Sequence, residues 1–558
     1  MSTGGQKRTR SERVAALELP PSRVTQLTQQ LQHGDVLSRL GLCLVSALAL
    51  LAIARGWSPP FSYRTGQTPT HDIVARVEFR ELNPRNPNEY TIYRPGQTLA
   101  RGGEPLVPEH IGLLRLEHQT LLAERTRTQQ VLRGAAFFAV LVALYAVCGY
   151  YVVFRERRVW TRWRRLLGVL VLVPATVAVS YWPASDVWRP ELVPPAILGM
   201  TLAIAYSKEL ALLLAGVASL IIALALGYGL GELLVLAGVV GSSVLLLGRI
   251  RSRSKLIKVG LASAGVALLL SIAAGVLAGQ PLGTLLLATS ARNALLALSA
   301  GFLMTGLLPV VERVFGVLTQ ISLLELGDAA HPLLQELVRR APGTYNHSIT
   351  VGSLGEAAAE AIGANGLLVR VGAYFHDIGK MFKPSYFVEN SGQEASRHEA
   401  LMPAMSTLII IAHVKDGADL ARQHHLPQPI IDFIEQHHGT TLVEYFFRRA
   451  SQQSEADPHA ATVQEAAFRY PGPKPQSREA AVLMLADAVE SASRVLTEPT
   501  PARIESLVEE LTQKRLNDGQ FDECGMSFRQ LKMVQDSLVK SLTGVYHARV
   551  KYPDQRTA

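Results

Sequence analysis

The chain has 558 residues, enough for about three or four domains of ordinary size. Hydrophobic residues make up 48% and charged residues 18%, and mean hydropathy is +0.18, so a disordered chain, a collagen and a disulfide scaffold are all excluded. The three cysteines, Cys43, Cys148 and Cys524, provide neither a disulfide framework nor paired CxxC zinc motifs. The net charge of +9 lies mainly in basic clusters beside apolar segments, a pattern of membrane orientation rather than of nucleic-acid binding.

Residues 1–35 form a polar tail with Lys7, Arg8, Arg10 and Arg13 near its start. An apolar stretch follows at 36–57, in which Arg39 can snorkel to the headgroups. The long polar leader and the lack of a clear small-residue cleavage site mark an uncleaved signal anchor. Residues 58–133 are polar. Seven more apolar segments occupy 134–154, 166–182, 192–206, 209–227, 231–248, 258–278 and 293–311. All but the short 192–206 approach the ~20 residues that cross ~30 Å of hydrocarbon. They are apolar all round, without the polar face that a soluble helix keeps.

Charge orients these spans. The linker Arg155-Glu-Arg-Arg-Val-Trp-Thr-Arg-Trp-Arg-Arg165 and the linker Arg249-Ile-Arg-Ser-Arg-Ser-Lys255 are strongly basic, whereas 183–191, 227–231 and 279–283 carry almost no positive charge. Basic loops stay in the cytoplasm. One anchor plus a seven-span bundle at 134–312 then places the N-terminus, both basic loops and everything after Glu312 inside, and a small segment at 58–133 outside.

A linker at 313–340 leads into a soluble, largely helical domain at 341–545, followed by a tail at 546–558. The domain holds most of the histidines, including His347, His413 and the doublets His376-Asp377 and His437-His438. Imidazole with carboxylate suits divalent iron, manganese or zinc. Phe375-His-Asp-Ile-Gly-Lys380 follows an apolar helical stretch, 367–374, that would bury it. Asp487 interrupts Val482-Leu-Met-Leu-Ala-Asp-Ala-Val-Glu490, and a buried carboxylate needs a partner or a metal. Neighbours on a helix point about 100° apart, so the His-Asp doublet suits a carboxylate that bridges two ions while the imidazole takes one. His424-His425 has no such support and reads as surface. Arg494 is placed to pair with Glu490.

The order His…His-Asp…Asp on helices resembles the HD superfamily of metal-dependent phosphohydrolases. Six strings narrow the resemblance: Ala341-Pro-Gly-Thr-Tyr-Asn-His-Ser348, His376-Asp-Ile-Gly-Lys-Met381, His413-Val-Lys-Asp-Gly417, Gln436-His-His-Gly-Thr-Thr441, Arg469-Tyr-Pro-Gly-Pro-Lys-Pro-Gln-Ser477 and Asp518-Gly-Gln-Phe-Asp-Glu-Cys524. Together they are similar to the seven-transmembrane-receptor HD family, over residues 323–553. The resemblance implies an all-α fold, with a polytopic membrane helix bundle followed by a cytoplasmic all-α HD domain in the cell (inner) membrane. It implies a phosphodiesterase that hydrolyses cyclic di-AMP to pApA in second-messenger signalling, through a hydroxide bridging two divalent ions, Mn2+ or Fe2+. One ion would be held by His347, His376, Asp377 and Asp487, and the other by Asp377, His413, His437 and His438. Lys380 would neutralise a phosphate oxygen. The partners implied are a cyclic dinucleotide substrate and membrane lipid, not DNA or RNA, and a homodimer is admitted. The segment at 58–133 is shorter than the family's extracytoplasmic domain, and only a closing portion, Tyr93-Arg-Pro-Gly-Gln-Thr-Leu-Ala-Arg-Gly-Gly-Glu-Pro105, matches.

Two alternatives stay open. Enzymes that cut cyclic di-GMP carry a Gly-Tyr-Pro element after the His doublet, where this chain has Gly439-Thr-Thr-Leu-Val-Glu444. A receptor or transporter that binds nucleotide without turnover would be expected to line its bundle with ionisable groups, and Glu232 and Arg292 are the candidates within the spans.

Overall fold

A computed structural model describes residues 34–69, 71–82, 90–182, 190–248, 250–391, 397–456 and 463–547. Most of the expected N-terminal tail, most of the C-terminal tail and most of the 183–191 connection lie outside them. The chain divides into two compact units, one of residues 1–248 with 253–317 and one of residues 249–252 with 318–558.

The first unit contains α1 (Gly34–Ile53), α2 (Pro108–Ala123), α3 (Arg127–Arg155), α4 (Arg157–Thr161), α5 (Trp163–Tyr181), α6 (Val193–Ala205), α7 (Lys208–Leu226), α8 (Leu230–Leu245), α9 (Arg253–Leu277) and α10 (Thr284–Phe315). Each apolar segment read from the sequence lies on one of these helices. Six of them, α1, α3, α5, α7, α9 and α10, are long and apolar enough to cross a membrane. The shorter α8 has 16 residues and spans about 24 Å. The 13 residues of α6 pack against α5, α7, α8 and α10, and eight of them are buried. A helix enclosed by other helices need not match the hydrocarbon thickness, because lipid does not touch it.

Local chemistry sets the ends of these helices. Thr126 and Gln129 form a reciprocal capping box, which starts α3 at Arg127 and ahead of the expected 134. Gly227 and Gly316 end α7 and α10 in the left-handed conformation that a side chain resists. Small residues set the packing, as expected where hydrophobicity cannot drive helices together in lipid. A Cβ on Gly301 would stand 2.7 Å from the Cα of Gly260, so only glycines allow α9 and α10 this close. The Ser263 hydroxyl on α9 lies 3.0 Å from those of both Ser242 and Ser243 on α8, and Asn293 Nδ2 donates to Ser271 Oγ at 2.9 Å.

Residues 71–82 and 90–123 build a small packed element on two antiparallel strand pairs. β1 (Ile73–Val74) pairs with β4 (Thr98–Ala100), and β2 (Phe79–Leu82) pairs with β3 (Tyr90–Tyr93). Phe79, Leu99 and Leu106 pack against Ile111 and Leu114 of α2. Buried Glu117 accepts from Arg76 N at 2.8 Å and Nε at 3.2 Å.

Among the described residues the second unit is helical, with one isolated bridge between Leu442 and Arg469. It comprises α11 (Gln320–Leu326), α12 (Pro332–Arg340), α13 (Pro342–Ala361), α14 (Gly366–Phe375), α15 (Val388–Ser391), α16 (Pro403–Gln423), α17 (Gln428–Gln436), α18 (Glu444–Ala456), α19 (Arg478–Ser493), α20 (Pro501–Asn517) and α21 (Phe528–His547). The 313–340 stretch is not an open linker here. α10 runs on to Phe315, and Leu323, Leu333, Leu334 and Leu337 of α11 and α12 join a core with Phe375, Ile378, Ile430 and Ile434. A second core gathers Val351, Phe433, Leu483, Leu485, Val508 and Leu538. α13, α14, α17 and α19 run between the two cores and carry most of the candidate site.

The basic and uncharged loops alternate along the first unit, so a reporter inserted near Pro87 and one fused after Ala558 should score on opposite sides of the membrane. Both reporters on one side would overturn the eight-span topology.

Candidate metal centre

The structure brings all seven candidate side chains into one cluster, six of them buried and His438 half-buried. His347 projects from α13, His413 from α16 and Asp487 from α19. His376 and His437 cap the C-termini of α14 and α17, so Asp377 and His438 fall at the turns that follow. The turn after Asp377 is a 3-10 segment, Ile378–Phe382, that lies directly on α16. A Cβ on Gly379 would stand 1.9 Å from His413 O, which explains a glycine between the doublet and Lys380. His424 and His425 are exposed and outside the cluster.

Asp377 divides its two oxygens between two groups of histidines. Oδ2 lies 3.2 Å from His376 Nε2 and 3.7 Å from His347 Nε2. Oδ1 lies 3.3 Å from His413 Nε2 and 3.6 Å from His437 Nε2. Asp487 Oδ1 is 3.0 Å from His347 Nε2 and 3.8 Å from His376 Nε2, and its Oδ2 is 3.9 Å from His438 Nδ1. Three overlapping groups have ligand atoms close enough to hold an ion: His347 with His376 and Asp487, His413 with His437 and His438, and His376 with Asp377 and His437.

The rings are oriented from behind. Nδ1 of His376, His413 and His437 each faces the carbonyl three residues earlier, those of Ala373 at 2.7 Å, Ile410 at 2.5 Å and Ile434 at 2.9 Å. A carbonyl only accepts, so Nδ1 is the donor. A neutral ring that donates there keeps its lone pair on Nε2. His413 Nε2 and His437 Nε2 then face each other at 3.3 Å, lone pair toward lone pair, an arrangement that a shared cation relieves. His376 Nε2 and Asp377 Oδ1 are buried without a hydrogen bond, which is costly unless an ion satisfies them. The donor set therefore fits divalent metal.

The electrostatics point the same way. Burial opposes charge on Asp377, but His376 and Lys380 outweigh it and hold the carboxyl well below its ordinary range. Asp487 is held down likewise by His347 and His376. Burial would lower His376, yet the Asp377 and Asp487 carboxylates raise it to about 10, so a metal must displace its proton. Burial keeps His437 and His438 low and hence neutral.

Several contributors were not singled out from the sequence. Glu490 Oε2 takes His347 Nδ1 at 2.6 Å, and its Oε1 accepts from Arg494 Nε at 2.8 Å. It stands three residues after Asp487 on the same helix face, and that spacing is the signal that would have found it. Tyr470 stacks on His438 with ring centroids 4.3 Å apart. Lys380, already expected from the sequence, has its Nζ 2.7 Å from Asp377 Oδ2 and 2.9 Å from Glu389 Oε1, with the Phe387 ring 5.0 Å away. Three of the sequence strings also meet behind His437 and His438. Gln520 accepts from Thr440 N at 3.0 Å, Arg469 donates to Thr440 O at 2.8 Å and Asp518 Oδ1 at 2.9 Å, and Gln436 accepts from Gln476 N at 2.9 Å.

Metal content after dialysis tests this arrangement. Asp377→Ala should lose the most metal, and His424→Ala should match the parent. Glu490→Gln should keep the ligands and weaken binding about 10- to 100-fold, the usual effect of removing a group that orients a metal-binding histidine. Metal loss in His424→Ala, or full retention in Asp377→Ala, would refute the assignment.

Comparison with known proteins gives consistent matches. The family model for the 7TM receptor with intracellular HD hydrolase matches residues 132–319, and that for the HD domain matches residues 344–492. The chain is 42% identical over 318 residues to the cyclic-di-AMP phosphodiesterase PgpH of Bacillus subtilis, covering 56% of this chain and 43% of that protein. It is 47% identical over 251 residues to the protein of the same name from Listeria monocytogenes, covering 45% of this chain and 34% of that one. A crystal structure of the L. monocytogenes PgpH HD domain in complex with cyclic-di-AMP is 47% identical, with a TM-score of 0.37, covering 39% of this chain and 100% of that one. The chain thus spans less than half the length of the curated relatives it matches. Residues 132–319 are thus similar to the 7TM receptor with intracellular HD hydrolase, and residues 344–492 to the HD domain.

Proposed function

We propose that this chain is a multi-pass protein of the cell (inner) membrane whose cytoplasmic HD domain hydrolyses cyclic di-AMP to pApA. The observation that carries the reading is the division of the Asp377 carboxylate, with Oδ2 toward His347 and His376 and Oδ1 toward His413 and His437. A carboxylate so placed suits two divalent ions, one with His347, His376 and Asp487 and the other with His413, His437 and His438. Manganese and ferrous iron fit these ligands, and when bound they would supply Lewis acidity and a lowered water pKa near neutral pH. A phosphodiester needs no protein nucleophile in such a site.

The protein's own groups orient and balance charge. The carbonyls of Ala373, Ile410 and Ile434 aim three imidazoles inward, and Glu490 does the same for His347. Lys380 stays charged because Asp377 and Glu389 outweigh the cost of its burial. Its ammonium, beside the shared carboxylate, is placed to stabilise charge on a phosphate oxygen. The adenine preference is drawn from the PgpH relatives and from the missing Gly-Tyr-Pro element.

The full chain, purified and loaded with manganese or ferrous iron, should be given equal amounts of cyclic di-AMP and cyclic di-GMP and its linear products separated. Faster formation of pApA is expected. Faster consumption of cyclic di-GMP would remove the substrate assignment and leave a hydrolase, whereas metal retention without cleavage of either would remove both.

A further inference from the structure

At one corner of the first unit the basic linker between α3 and α5 folds into α4, held down by Val159, which is 1% exposed. The linker brings six arginines and one glutamate into eleven residues. Arg155, Arg157, Arg158, Arg162 and Arg164 are exposed, and none is within ion-pair distance of a carboxylate among the described residues. Arg39 of α1 enters the same corner. Its guanidinium carbon lies 5.4 Å from the ring centroids of both Trp160 and Trp163, and its Nε is shielded from water without a hydrogen-bond partner.

Orientation by the positive-inside effect depends on the number of basic residues near a span. It does not require a guanidinium held between two indoles. Cation–π contact within about 6 Å fixes the plane of that guanidinium while leaving its terminal nitrogens able to donate, the fork geometry that binds phosphate. We infer that Arg39, Trp160 and Trp163, with Arg162 and Arg164 beside them, form a binding site for the phosphodiester headgroup of an anionic phospholipid. The residues stand where α1 and α5 begin and α3 ends, the level at which tryptophans meet headgroups. The surplus of six positive charges to one favours a headgroup with net negative charge over a zwitterion.

The test uses the full chain in nanodiscs, with Trp57, Trp182 and Trp188 replaced by Phe so that Trp160 and Trp163 supply the fluorescence. Phosphatidylglycerol with brominated acyl chains should quench this emission more strongly than brominated phosphatidylcholine at the same mole fraction. Arg39→Gln should reduce the preference about fivefold, the factor equivalent to roughly 1 kcal/mol for one basic side chain near an anionic surface. Arg164→Gln, at an exposed position, should weaken it as well and serves if Arg39→Gln does not fold. Equal quenching by the two lipids, or an unchanged preference in the folded variants, would overturn the inference. Loss of the preference in excess inorganic phosphate would assign the site to a free anion instead. Catalysis plays no part in the readout, so the result stands apart from the proposed phosphodiesterase activity.

Discussion

The second unit is organised around one buried negative charge. Asp377 is 1% exposed, and a carboxylate at such a position costs several kcal/mol unless its surroundings compensate. The surroundings are correspondingly specific, with four imidazoles within 3.7 Å and an ammonium at 2.7 Å. Each of these groups has to be held against the others, because their lone pairs and charges repel. The helices supply that restraint. α13, α14, α16, α17 and α19 converge between two apolar cores, and the glycine contact between the 3-10 turn and α16 brings backbone within a distance no side chain would allow.

The membrane half answers a different constraint. With apolar side chains on every face, its helices gain little from hydrophobic contact with one another, so close packing and a few hydroxyl and amide bonds set their positions. Gly260 against Gly301 and Ser263 against Ser242 and Ser243 are the clearest instances. At the opposite end from the basic linkers, Arg64 lies over the Tyr228 ring at 4.2 Å, and the Tyr228 hydroxyl donates to buried Glu191. The neighbouring Tyr63 packs against the core of the small packed element, so that element is tied to the bundle through adjacent residues.

Much of this was legible in the sequence, for physical reasons that differ from segment to segment. The spans stand out because uninterrupted apolar runs are rare outside membranes. The seven candidate ligands stand out because imidazoles and carboxylates interrupt runs that would otherwise be core, and the structure places all seven together. Glu490 escaped notice because an acid four residues before Arg494 already has a satisfactory surface explanation; only the fold shows that its other oxygen faces His347. The 313–340 stretch read as a linker because its apolar residues are divided between two short helices, and short helices gain their stability from the core they join. The meeting of Thr440, Arg469, Asp518 and Gln520 was invisible because it depends on three turns far apart in the chain.

His376 and His437 have a second task besides presenting nitrogen to the cluster. Each is the C-cap residue just past its helix, and each ring bonds a carbonyl of the final turn, one of the groups that a helix end otherwise leaves to water. The same imidazole therefore terminates the helix on one edge and faces the cluster on the other. Rotating the ring away would release the Ala373 or Ile434 carbonyl and fray the turn that carries the next candidate ligand, Asp377 or His438. An ion on Nε2 and the hydrogen bond at the helix end would thus act on the same ring, and exchange of the amide hydrogens in the turns after α14 and α17 would report on it without any substrate being present.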